Sequence, residues 1–164
     1  MQANTEELVI RSAEKRDIPN IVALIRAMAR YEKLTDQIEL DEATLDESLF
    51  SDNPVPRALV ATLGSEMVGY AIYFYNFSTF LGTKGIYLED IYVDTEYRGQ
   101  GIGDKLFRKV ADIARLENCG RMEWVALDWN KPAINFYESR GAKMHEEWRL
   151  FRFTRAELNS LSND

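Results

Sequence analysis

Glycine occupies three of the five positions 99–103, in the run Tyr97-Arg-Gly-Gln-Gly-Ile-Gly103, although the whole chain holds only nine glycines. Backbone N–H groups there can approach a ligand with no side chain in the way. Residues 87–93 (Tyr-Leu-Glu-Asp-Ile-Tyr-Val) are rich in β-branched and aromatic types and read as a strand. After the glycines comes an amphipathic helix, whose positive N-terminal end and N–H donors point back into the loop. Strand, glycine loop and helix start together read as a cradle for an anion such as a pyrophosphate. The plainer reading is a glycine turn that only starts a helix. A dinucleotide fingerprint would need glycine at position 106, where Leu106 stands. A P-loop would need Lys and then Ser or Thr, where the chain has Asp104-Lys105.

Proton chemistry has few candidates. The single histidine, His145, and the single cysteine, Cys119, lack ligand-spaced companions, so no metal is expected and no Ser-His or Cys-His nucleophile is supported. His145 reads as a surface residue at a strand end. Acid–base work then falls to carboxylates, tyrosine or water. Glu89 and Asp90 are neighbours in a strand, where successive side chains alternate between faces. That alternation groups Glu89 with Tyr87 and Ile91, and Asp90 with Leu88 and Tyr92, and it excludes a paired-carboxylate dyad. Glu89 is assigned to the active site and Asp90 to structural hydrogen bonds with the next loop. Tyr137 stands on a helix seven residues after Asn130 and shares a face with Ala133, Ile134 and Arg140. It reads as a proton donor or as a tyrosine packed under a sheet.

With 164 residues, one domain over positions 1–164 is expected. A hydrophobic content of 46% with 12% aromatics belongs to a globular chain and excludes a disordered one. No apolar run approaches the ~20 residues of a membrane span, and the polar, acidic N-terminus lacks a signal-peptide pattern. One cysteine permits no internal disulfide, which fits a reducing cytoplasm. A net charge of −7 argues against nucleic acid and for cationic partners.

The elements that must position these residues follow from periodicity. Leu8-Val-Ile-Arg11 reads as a strand, and Asp17 as the cap of a helix with Ile18, Ile21, Val22, Ile25 and Met28 on one face. A short helix is expected over 41–50, and a hairpin from 57–63 and 67–77 joined by Gly64-Ser-Glu66. The helix after the glycine loop carries Ile102, Leu106, Val110 and Ile113 on one face. The next strand, 121–127, implies a parallel crossover. Asn130 caps a helix with Pro132 in its first turn and Gly141 as its stop; 148–153 reads as a closing strand and the remainder as a polar tail. The whole is α/β, a mixed sheet with helices on both faces.

The pattern Arg98-x-x-Gly101-x-Gly103 resembles the acetyl-CoA loop of the GNAT superfamily of N-acetyltransferases, and Asp128-Trp-Asn-Lys-Pro-Ala-Ile-Asn-Phe-Tyr137 resembles its second signature. With Tyr31-Glu-Lys-Leu-Thr-Asp-Gln37, Leu127-Asp-Trp-Asn130 and Trp148-Arg-Leu-Phe151, the likeness narrows to the diamine (spermidine/spermine) acetyltransferases and the related thialysine N-ε-acetyltransferases. It is collinear over roughly residues 8–153, and the motif details lie nearer the thialysine branch. The resemblance implies a mostly antiparallel sheet, a homodimer, and acetyl-CoA as co-substrate without a metal. It implies that Ile91, Tyr92 and Val93 hold the pantetheine arm through their backbone. Arg98, Gly99, Gln100, Gly101, Ile102, Gly103 and Asp104 would wrap the pyrophosphate. Asn130, Lys131, Pro132, Ala133 and Tyr137 would touch the coenzyme again. Tyr31, Glu32 and Glu89 would line the amine pocket, with Glu123, Trp124 and Val125 near its wall, and the family's late pocket glutamate falls at Glu146 or Glu147.

The expected reaction is acetyl transfer to a primary amine of a small cationic metabolite, with Glu89 assisting deprotonation and Tyr137 protonating the thiolate. A protein N-acetyltransferase, a non-catalytic acetyl-CoA sensor and a ligand-free α/β module are the competing readings. A peptide substrate would need an open groove, whereas Glu32 and the other acids suit a small ligand.

Overall fold

The computed structural model describes residues 7–161. The polar start read above lies outside them up to position 6, as does the end of the tail beyond position 161. The chain divides into two compact units, the first ending at Val125 and the second beginning at Ala126.

In the first unit, β1 (Leu8–Ser12), β2 (Arg57–Leu63), β3 (Glu66–Ser78) and β4 (Thr83–Val93) form an antiparallel sheet in chain order. At its end β5 (Met122–Glu123) runs parallel to β4. Two helices, α1 (Ile18–Glu32) and α2 (Glu42–Phe50), separate β1 from β2, and α3 (Ile102–Leu116) makes the crossover from β4 to β5. This is the mixed, mostly antiparallel α/β architecture expected. Ile21, Val22 and Ile25 of α1 bury with Val60, Tyr70 and Tyr92 on one face of the sheet. On the other face, a Cβ at Gly69 would lie only 3.2 Å from Leu106 Cδ1 of α3. Helices therefore cover both faces, and glycine at position 69 lets α3 approach.

Local chemistry explains most boundaries. Asp41 caps α2 by accepting from the Thr44 N–H at 2.8 Å. Lys33, with φ 60°, ends α1 in the left-handed conformation. Asp17 stands at the start of α1, but its carboxylate makes no cap bond. Arg11 donates to it twice, at 2.6 and 2.9 Å, and the Glu14 N–H at 2.7 Å. The Arg11 guanidinium holds its pKa below the usual carboxylate value.

Further expectations change. The β3–β4 ladder contains a bulge: Ile72 faces Asp90 and Tyr73 faces Leu88, so Glu89 has no residue opposite it. The alternation inferred for an unbroken strand fails there, since a bulge adds one residue to one side. Asp90 thus opposes Ile72, on the α1 face with Tyr92, while Leu88 falls on the other. The strand expected over 121–127 shortens to Met122–Glu123, and Trp124 turns its ring edge-on to Phe107 of α3 at 5.2 Å. In the second unit, which holds α4 (Lys131–Glu138) and α5 (Arg155–Leu161), residues 148–153 form no strand. Their aromatic residues favour a strand, but a ladder needs a partner, and no described residue of this unit is in a strand. His145 is exposed, as expected, without a strand to end. The expected polar tail instead contains α5, because Thr154 and Glu157 form a capping pair in which the Thr154 N–H donates to the Glu157 carboxylate.

Candidate active site

The glycine loop has the geometry its residue types demand. Gly99 and Gly101 both have φ 77°, a region that residues with a Cβ rarely enter, and Gly101 is the residue from which α3 starts. A Cβ on either glycine would meet nothing within 4 Å, so open space lies before the helix start. The first amides of an α-helix have no acceptor within the helix. Open space, converging donors and the positive helix end fit a diphosphate. The Asp104 carboxylate is turned along the helix, 2.8 Å from Arg108 Nε. β4 leads into this loop with a free side. Its pairing with β5 covers only Ile86 with Met122 and Tyr87 with Glu123, so among the described residues no strand pairs with that side over 88–93. Backbone groups of Ile91, Tyr92 and Val93 can there meet the amides of an extended ligand.

Carboxylates gather on the α1 face. The pKa of Asp90, half-buried, is pushed up to about 7 by burial and then by the charges of Glu89 and Glu32. Tyr70, wholly buried, places its hydroxyl 3.4 Å from Asp90 Oδ2 and 3.4 Å from Met28 Sδ of α1. Burial also raises the pKa of Glu32, on the last turn of α1. Glu89 is exposed. Asp90 thus feels the charges of both other acids, although of the three only Glu32 and Glu89 were expected in the pocket. Asp90 was expected to make structural hydrogen bonds with the loop that follows it, yet its carboxylate meets Tyr70. That contact depends on which β3 residue lies beside β4, which hydrophobic periodicity does not show.

Tyr31 precedes Glu32, and the Arg98 guanidinium carbon sits 4.5 Å from its ring centre and 5.3 Å from that of Tyr92. The residues expected at the pocket wall follow from β5 onward. The Glu123 carboxylate takes Arg121 Nε at 2.8 Å and Asn76 Nδ2 at 3.3 Å, Trp124 rests on Phe107, and Val125 is exposed.

In the second unit Asn130 is buried and its side chain caps α4, accepting from the Ala133 N–H at 3.3 Å. Lys131 and Pro132 are exposed in the first turn. Tyr137 is half-buried, 5.3 Å from Phe136 ring to ring. Gly141, with φ 87°, lets the Ala142 N–H reach the Tyr137 carbonyl at 3.2 Å and so stops the helix. Glu146 and Glu147 are both exposed; the Glu147 carboxylate lies 3.0 Å from His145 Nδ1, which lowers its pKa.

Glycine loop, helix start and free strand side together can receive an extended ligand that carries a diphosphate. The chain belongs to the acetyltransferase (GNAT) family, whose pattern it matches over residues 20–142. It is an acyltransferase of that family, whose members use acetyl-CoA. It is 42% identical to a thialysine N-epsilon-acetyltransferase of Sus scrofa, over 94% of this chain and 97% of the relative. It is 37% identical to the spermidine/spermine N(1)-acetyltransferase-like protein 1 of Homo sapiens, over 96% of this chain but 24% of that longer protein. Among solved structures, an integron cassette protein from V. cholerae superposes with a TM-score of 0.81 at 28% identity, covering 96% of this chain and 98% of the other. Among the described residues, no helix is long and apolar enough to cross a membrane.

Proposed function

We propose that the protein transfers acetyl from acetyl-CoA to a primary amine of a small cationic metabolite, a thialysine- or lysine-like amino acid before a polyamine. The observation that carries this reading is the gathering of Glu32 and Glu89 about Asp90, whose pKa burial and then their charges raise, on the strand that leads into the glycine loop and on the helix its Arg98 touches. A cation relieves such repulsion, and a neutral amine would not. The name of the Sus scrofa relative supports an amino-acid substrate.

A lysine-like amine has a pKa near ~10.4 and arrives protonated. Glu89 draws that proton away through water. The amine attacks the thioester carbonyl, which Ile91, Tyr92 and Val93 hold in position by hydrogen bonds to the thioester's arm. The carbon–sulfur bond breaks as the carbon–nitrogen bond forms, and Tyr137 gives its proton to the departing thiolate. No covalent enzyme intermediate is needed, because the amine is itself the nucleophile. The first-turn amides after Gly101 carry the diphosphate charge, with Asn130, Lys131, Pro132 and Ala133 as further coenzyme contacts. In this reading both units serve one catalytic domain over residues 1–164. The single cysteine supports a cytoplasmic setting, and the family resemblance a homodimer.

Thiol release from acetyl-CoA is measured with thialysine, lysine, spermidine, a neutral amine and a peptide N-terminus. The expected order has thialysine and lysine first and the neutral amine last. Release driven best by the peptide would make this a protein acetyltransferase, and binding of acetyl-CoA with no release for any amine would make it a sensor.

A further inference from the structure

Arg98 belongs to the loop that precedes α3, yet its side chain reaches across to the α1 face. Its Nε donates to the Val93 carbonyl at 3.1 Å, and its guanidinium faces the rings of Tyr31 and Tyr92 at 4.5 and 5.3 Å. Tyr92 is buried, while Tyr31 stands on the last turn of α1 beside Glu32. The base of the loop is fixed independently. The Asp94 N–H donates to the Val68 carbonyl at 2.9 Å, and the Tyr97 hydroxyl to Glu66 at 2.6 Å. Immediately after Arg98 come the two left-handed glycines. Arg98 is therefore the point where a pinned stretch gives way to the glycines, and its side chain is the contact between loop and α1.

We propose that Arg98 is a positioning residue that couples the two substrate sites: its guanidinium, set over the rings of Tyr31 and Tyr92, transmits the ordering of the coenzyme loop to the amine pocket. This rests on the functional reading above. The planar guanidinium is what allows it. It stacks on ring faces while its edge donates to a carbonyl, which a lysine ammonium cannot do. A coenzyme that orders the residues 99–103 holds Arg98 in place, Arg98 holds Tyr31, and the end of α1 with Glu32 is fixed for the amine. Linkage makes the effect reciprocal, so a bound amine must tighten the coenzyme by the same factor.

The test is titration calorimetry with coenzyme A, which cannot react, and thialysine, each measured with and without the other. Wild-type protein is expected to bind either ligand roughly fivefold more tightly when the other is present. In Arg98→Leu that ratio falls to about one. Arg98→Lys keeps the charge without the stack and also falls to about one. Tyr31→Phe keeps the ring and the ratio. Arg98 is exposed, and unchanged melting temperatures confirm that the variants fold; Arg98→Lys alone decides should the leucine variant not fold. If Arg98→Leu weakens coenzyme A binding but leaves the ratio intact, Arg98 is a phosphate ligand only and the coupling is overturned. A wild-type ratio of one overturns it as well. Wild-type thiol release with thialysine is measured alongside. If thialysine is acetylated and the ratio is one, only the coupling fails; if no amine is acetylated, the acetyltransferase reading fails.

Discussion

Burial and neighbouring acids hold the Asp90 carboxyl well above the usual carboxylate range. In the folded chain it keeps its proton up to about 7, whereas an unfolded aspartate loses it near ~3.9. Between those values the folded state binds more protons, so stability falls as pH rises through that window. Asp90→Asn should flatten that slope: its urea midpoint should change less than the wild-type midpoint between pH 5.5 and 8.5. Equal slopes for the two proteins would show that Asp90 ionises normally. The same variant should raise the amine KM more at pH 8.5 than at pH 6, since only the ionised carboxylate attracts a cation. Tyr137 makes a separate prediction. Tyr137→Phe removes one oxygen from a half-buried ring and should leave folding and acetyl-CoA binding intact. Turnover should drop by roughly a hundredfold, the lower range of general acid catalysis. Unchanged turnover at saturating substrates would return Tyr137 to packing alone.

Two glycines show how differently elements use the same residue. At Gly101 a Cβ would meet nothing within 4 Å, but the φ of 77° is hostile to any side chain and most of all to a β-branched one. Gly101→Val should therefore cost about 1–3 kcal/mol of stability and place its side chain in the space before the α3 amides. Coenzyme affinity in the folded variant should suffer more than melting temperature, and calorimetric titration with a normal Kd would remove the loop from the site. At Gly69 the conformation is ordinary and the space is absent. A Cβ there would lie 2.9 Å from the Tyr92 carbonyl oxygen, backbone that cannot step aside. Gly69→Ala should cost roughly 1–3 kcal/mol through overpacking, visible as a lowered melting temperature. An unchanged melting temperature would mean that β4 and α3 yield more readily than packed elements do.

At the scale of the molecule, the net charge of −7 adds long-range attraction to the acids of the pocket. For a cationic substrate kcat/KM should fall several-fold between about 10 and 300 mM salt as screening sets in, with little change for a neutral amine; equal salt dependence would remove the electrostatic contribution. Glu32→Gln should raise the KM for thialysine with less effect on acetyl-CoA, and no change in either would dismiss Glu32 from the pocket. Much of this was legible in the chain itself. Glycine spacing, the Asn130 cap, the apolar faces of α1 and α3 and the hairpin at Gly64 are local features, set by residue type within a few positions. That is why the first four helices, the first four strands and the glycine loop agree with expectation. What was not legible depends on partners distant in sequence. The bulge that leaves Glu89 unopposed and sends Leu88 to the other face exists only through the register of β3 against β4. The stacking of Arg98 on Tyr31 joins residues sixty-seven positions apart, and the pKa of Asp90 is set by burial and charges that the fold collects. An aromatic-rich run such as 148–153 states a preference for a strand, but only a neighbouring strand can satisfy its hydrogen bonds, and that neighbour is decided by tertiary structure.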